Sequence, residues 1–159
     1  MRFDVGLIAG LPQQDLDEAD TSPGANLQFG YMFTPNIGLL VGARYFQVQV
    51  EDSQGVDISN FDLDIGARYQ MPVSPTAKVF GDAMLIYSTL KFEGDGGSIE
   101  GSGVGFGIRA GGVFNVSGNI GIGAAVSYTT ASIEFDDDGL SGDGDAGWIG
   151  LEGFVSFGF

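Results

Sequence analysis

Asn60-Phe61-Asp62-Leu63-Asp64-Ile65-Gly66-Ala67-Arg68-Tyr69-Gln70-Met71 is the stretch that decides how this chain reads. Phe61, Leu63, Ile65, Ala67, Tyr69 and Met71 alternate without interruption with Asn60, Asp62, Asp64, Gly66, Arg68 and Gln70. Strict alternation is the period of a β-strand, whose successive side chains point to opposite faces. One face is wholly apolar and the other carries Asp62, Asp64 and Arg68, so the two sides of this strand meet different surroundings.

The same two-faced pattern recurs on both sides of it. Phe3, Val5, Leu7, Ala9 and Leu11 oppose Arg2, Asp4, Gly6 and Gly10; Leu27, Phe29, Tyr31 and Phe33 oppose Asn26, Gln28, Gly30 and Met32. Ile37, Leu39, Val41, Ala43 and Tyr45 face away from Gly38, Leu40, Gly42, Arg44 and Phe46. Downstream, Val79, Ala83, Leu85 and Tyr87 oppose Lys78, Phe80, Asp82, Met84 and Ser88. Val104, Phe106, Ile108, Ala110 and Phe114 oppose Gly103, Gly105, Gly107, Arg109, Gly111 and Asn115. Ile120, Ile122, Ala124, Val126 and Tyr128 follow against Gly121, Gly123, Ala125, Ser127 and Thr129. Ile149, Leu151, Val155, Phe157 and Phe159 close the chain, with Glu152 and Ser156 behind them.

These eight segments are joined alternately by short and long connections. Thr34-Pro35-Asn36, Pro72-Val73-Ser74-Pro75-Thr76 and Ser117-Gly118-Asn119 are turns; residues 13–24, 51–57, 93–101 and 136–146 read as longer, acidic loops. An even number of antiparallel strands with short turns at one end and long loops at the other is the plan of a membrane β-barrel. The pattern predicts an all-β, eight-stranded antiparallel up-and-down transmembrane β-barrel, one domain over residues 1–159.

Charge placement identifies the lipid face, because an ionised side chain there costs about 2–4 kcal/mol near the bilayer midplane. The apolar face carries none. Arg2, Arg44, Arg68, Lys78 and Arg109 all fall on the other face, with Asp4, Asp62, Asp64, Asp82 and Glu152. The remaining 16 of the 21 acids, against Lys91 alone, place the net charge of −15 in loops and at strand ends. A soluble ligand-carrying barrel would reverse the two faces, and a sandwich would bury the apolar one. Eight strands enclose a lumen that side chains can fill. The ten inward charges are therefore expected to form a salt-bridged plug, with Arg44 directly across from Asp64 and inward glycines making room for the Arg and Lys stems. Phe29, Tyr31, Phe33, Tyr69, Phe114 and Phe157 gather toward the short turns, as an interfacial girdle would.

The composition excludes much chemistry. The chain of 159 residues has no Cys and no His, which removes disulfides, thiolate or imidazole metal sites and nucleophile–His pairs. The net negative charge opposes nucleic-acid binding. Gly105-Phe106-Gly107-Ile108-Arg109-Ala110 matches a dinucleotide-binding string but lies within a strand and opens no helix. Asp136, Asp137, Asp138, Asp143 and Asp145 supply hard oxygen ligands for a weak cation-binding loop, although the ordered calcium-loop spacing and its closing Glu are missing. No cofactor and no enzymatic activity are expected. No apolar run approaches the roughly 18 residues of a membrane helix, and Met1 to Val5 enter the alternation without a signal peptide, so the chain reads as a mature one.

Leu151-Glu152-Gly153-Phe154-Val155-Ser156-Phe157-Gly158-Phe159 resembles the terminal strand of outer-membrane proteins, and Leu27 to Leu39 resembles the strand, Thr-Pro-Asn turn and strand of the small OmpA/OmpX/opacity-type barrels. The resemblance implies residence in a bacterial outer membrane with both termini periplasmic, contact with lipid and lipopolysaccharide, and Phe157 and Phe159 as a signal to the barrel-assembly machinery. It implies loops that bind other surfaces, and no peptidoglycan-binding domain is expected after Phe159. A monomer with a structural or surface-interaction role is the first expectation, divalent cations at the loops its expected small partners. A narrow porin-like channel for ions or small solutes is the alternative, and a soluble binding barrel the third.

Overall fold

The computed structural model describes residues 1–14, 21–48, 57–94, 97–137 and 140–158. Eight strands follow one another: β1 (Arg2–Gln14), β2 (Ser22–Met32), β3 (Ile37–Val48), β4 (Asp57–Pro72), β5 (Ala77–Gly94), β6 (Gly97–Ser117), β7 (Ile120–Asp137) and β8 (Leu140–Gly158). Each pairs antiparallel with its sequence neighbours, and β1 pairs with β8 to close the barrel. Over the height that all eight strands share, closure leaves no unpaired edge.

Two of the turns are built alike. In Thr34-Pro35-Asn36 the Thr34 hydroxyl oxygen accepts from the backbone N–H of Ile37 at 2.9 Å, and in Ser74-Pro75-Thr76 the Ser74 hydroxyl accepts from that of Ala77 at 3.0 Å. A short hydroxyl side chain ahead of a proline thus closes each turn on its own backbone. The third turn places Gly118 at φ +46°, a conformation in which a side chain is strained. These turns and both termini define one end of the barrel, the turn end; the opposite end is the loop end.

The outer wall is apolar and exposed: Leu27, Leu39, Val41, Leu63, Ile65, Leu85, Val104, Phe106 and Leu151 among others. From Phe61 to Met71, ten steps of about 3.3 Å each at a tilt of about 40°, this belt is about 25 Å tall. Phe29, Tyr31, Phe33, Tyr69, Phe114 and Phe157 are exposed toward its turn end, and Tyr45, Phe61 and Tyr87 form a second aromatic band toward its loop end.

Four of the strands outrun the expected loops. The β5–β6 ladder continues to Gly94 opposite Gly97, and β7–β8 to Asp137 opposite Leu140. Most of residues 93–101 and 136–146, expected as loops, are therefore strand. Where these hairpins leave the belt, the alternation changes sides. Leu90, Ala131, Ile133, Ala146 and Trp148 are buried inside, while Lys91, Thr130, Ser132, Glu134 and Asp145 take the outward positions. Beyond the belt the outer wall meets water, so the polar residues move out and the apolar ones move in.

Candidate functional site

Inward-facing residues fill the lumen in three layers. Nearest the turn end, Phe80, Val113, Ala125 and Phe154 pack together, with the two phenylalanine rings 6.0 Å apart at 63°. Nearest the loop end, Ile58, Leu90, Ala131, Ile133, Ala146 and Trp148 form an apolar cluster, and Phe46 stacks on Trp148 with centroids 5.2 Å apart. Between them lies a band of charged and amide side chains.

The band divides into two networks. In the first, Asp4 lies 2.7 Å from Arg2 Nε and 3.5 Å from Arg68 Nη1. Arg68 donates to both carboxylate oxygens of Asp82, at 2.7 and 2.8 Å. This bidentate pairing is the geometry in which a planar guanidinium binds most strongly. Asp82 also lies 3.5 Å from Arg109, whose Nη2 is 2.8 Å from Glu152. Gln28 accepts from Arg68 and Arg109, and Asn26 donates to Glu152 at 2.7 Å. Arg68 sits 4.1 Å from the centre of the Phe80 ring, and Arg109 lies 5.2 and 5.0 Å from Phe80 and Phe154. The ring faces thereby add a favourable surface for the buried cations.

The second network is looser. Arg44 lies 3.5 Å from Asp64 and 4.0 Å from Asp62, while Asn60 donates to Asp62 at 3.0 Å and accepts from Ser88. Gly42 leaves the space that Asp64 occupies: a Cβ there would lie 2.7 Å from its Oδ1. A cavity of about 10 Å³ separates the networks, bounded by Asn26, Gln28, Arg109 and Glu152 on one side and Arg44 and Asp64 on the other. That is room for about one water molecule.

Nine of the ten expected interior charges come together in this band. Lys78 does not. It points inward but lies half-buried at the turn-end mouth, and among the described residues it joins no ion pair. Without it the two networks hold four arginines against five acids, not a balanced set. The hairpin register also differs from expectation: Arg44 faces Asp62 and reaches Asp64 diagonally, Gly42 being its direct partner. A long β3–β4 connection leaves this register to the packing of the two faces, which turn geometry cannot specify in advance. Nor do the inward glycines mainly seat arginine stems. A Cβ at Gly111 would meet the Phe80 ring at 2.8 Å, and one at Gly123 the Phe154 ring at 2.4 Å.

Of the expected cation-binding acids, Asp136 and Asp137 fall in β7 and Asp143 and Asp145 in β8, so they belong to a ladder and not to a loop; Asp138 lies outside the described residues. Asp143 stands opposite Glu134, and Asp145 accepts from the Ser132 hydroxyl at 2.9 Å. Among the described residues, no group of three or more acids is arranged to hold a metal ion. Phe157 is on the outer wall of β8, and Phe159 lies outside the described residues. Asn26, Gln28 and Asn60 were not singled out from sequence, although their signal was present: they occupy inward positions in phase with the charges, and β2 brings no inward charge of its own.

A closed eight-stranded barrel with an apolar wall and an ionic lumen matches the model of the outer membrane protein β-barrel domain over residues 2–157. The chain belongs to this family. Among solved structures, Neisserial surface protein A superposes with a TM-score of 0.80 at 14% identity, covering 99% of this chain and 96% of that one. OprG of Pseudomonas aeruginosa gives 0.67 at 16%, over 99% and 96% of the two chains. Ail, the attachment invasion locus protein of Yersinia pestis, gives 0.61 at 19%, over 97% and 96%. At these identities the likeness concerns the fold. No curated protein sequence matches the chain. Family membership places this barrel in the bacterial outer membrane, with its apolar belt against lipid.

Proposed function

We propose that this outer-membrane barrel is closed and non-conducting, with a structural or surface-interaction role and no enzymatic activity. The observation that carries the reading is the filled lumen: two apolar layers seal a paired ionic band on both sides, and the interior cavities within that band are no larger than about 10 Å³. Both termini lie in the periplasm, and the β5–β8 hairpins project outside. There, exposed Glu100, Glu134 and Asp145 present acids just above the aromatic belt, where divalent cations would bridge them to lipopolysaccharide phosphates. The barrel-assembly machinery would read the apolar outer positions of β8, including Phe157. A monomer suffices for all of this.

Refolded protein in planar bilayers tests the closed lumen: electrical silence is expected, and reproducible conductance steps would overturn it. One observation favours the alternative of a narrow ion channel. Arg44 makes only long contacts to its two acids, so that pair can shift with little loss.

A further inference from the structure

The turn-end mouth holds a cavity of about 220 Å³ that shares only Arg2 with the ionic band. Arg2, Gln70, Lys78, Asn115, Asn119 and Ser156 supply its polar lining, and among the described residues no Asp or Glu side chain contributes to it. This is unusual placement in a chain of net charge −15. Lys78 has no ion pair among the described residues, and Arg2, held by Asp4 through Nε, leaves its buried Nη2 without a hydrogen-bond partner. Among the described residues, every charged side chain lining the mouth is therefore a donor, ringed by amides and a hydroxyl that can also donate.

We propose that this mouth binds a soluble oxyanion, the carboxylate or phosphate end of a molecule approaching from the turn side. Lys78 supplies the charge, Arg2 adds a second positive group in the wall, and Gln70, Asn115 and Ser156 complete the shell. A neutral ligand would leave Lys78 uncompensated in a half-buried site, and a cation would meet two positive groups. The lining residues of the strands face the barrel axis, so lipid headgroups outside the wall do not reach the site. Val113 lines it and packs with Phe80, Ala125 and Phe154 in the apolar layer beneath, which makes it a binding cup and not the entrance to a pore.

The test is an NMR titration of the refolded full chain in zwitterionic micelles with sodium phosphate and, separately, sodium acetate, at constant ionic strength. Saturable shifts are expected at Gln70, Lys78 and Asn115, and the stronger ligand of the two identifies the oxyanion class. Lys78→Gln should weaken binding at least tenfold and Lys78→Arg should restore it, while Lys91→Gln at the loop end leaves it unchanged. Lys78 lies outside the ionic networks, so its variants retain the folded gel mobility. Linear, non-saturating shifts, or equal affinity in Lys78→Gln, would overturn the site. Conductance in bilayers would instead sink the closed lumen, whatever the titration shows.

Discussion

Neutralising Asp82 tests whether the ionic band holds the barrel together. Its carboxylate, fully buried, receives two short bonds from Arg68 and stands 3.5 Å from Arg109. In Asp82→Asn the side chain keeps its shape and one acceptor oxygen. The first network then holds Arg2, Arg68 and Arg109 against only Asp4 and Glu152, and one guanidinium charge is left uncompensated away from water. Breaking a buried pair in this way costs about 3–5 kcal/mol. With a urea slope of about 2 kcal/mol per molar, the unfolding midpoint should fall by about 2 M. The assay is urea unfolding of refolded protein in micelles, followed by the emission of the single, buried Trp148 and by gel mobility. Glu134→Gln, exposed on the outer wall and opposite Asp143, is the matched control and should move stability by no more than about 0.5 kcal/mol. Replacing both partners, Arg68→Met with Asp82→Leu, should recover most of the loss, because it removes the stranded charge along with the pair. An unchanged midpoint in Asp82→Asn, or a double variant worse than the single one, would refute the argument.

Ile65→Arg should cost about 2–4 kcal/mol although Ile65 is more than half exposed, a result that lipid contact demands and water contact does not; the same urea titration reads it. Phe46→Ala should cost about 3–5 kcal/mol and shift Trp148 emission to the red, since it uncovers the indole face on which Phe46 stacks. Gly42→Ala should cost about 1–3 kcal/mol by driving its methyl into the Asp64 carboxylate. Gly153→Ala, with open space around its Cβ, should be neutral by the same measurement.

How much of this was legible in the sequence follows from which forces act along one strand and which act between strands. The alternation around Phe61 to Met71 is set by a single strand's two surroundings, so strand number, barrel class and the lipid face could all be read from it. The layer at the loop end could not. Leu90, Ile133 and Trp148 belong to the inward face, but they border the acidic segments 93–101 and 136–146, and the regular outward apolar signal that marked each strand fades around them. Lys78 had the right parity and the wrong height: inward direction is a property of the strand, whereas height relative to Asp82 and Arg109 depends on the shear between strands. The expected placement of Arg44 directly across from Asp64 failed for the same reason, and the service of Gly111 and Gly123 to Phe80 and Phe154 is visible only once β5, β6, β7 and β8 are adjacent.

The change of faces also explains why the register of this barrel is so strongly specified. A one-residue slip in a strand exchanges its two faces. Within the belt, such a slip of β4 would turn Asp62, Asp64 and Arg68 toward lipid; above it, the same slip would turn Ile58 outward into water. A uniform barrel would be penalised by only one of these errors along each strand. Here β5 meets both, because Asp82 must face in at the height of the belt and Leu90 must face in above it, although Leu85 and Tyr87 face out between them. The long hairpins thus do more than raise the wall. They give the strands a second, water-facing stretch whose polarity is opposite to that of the membrane stretch, and the two stretches hold the same register for opposite reasons.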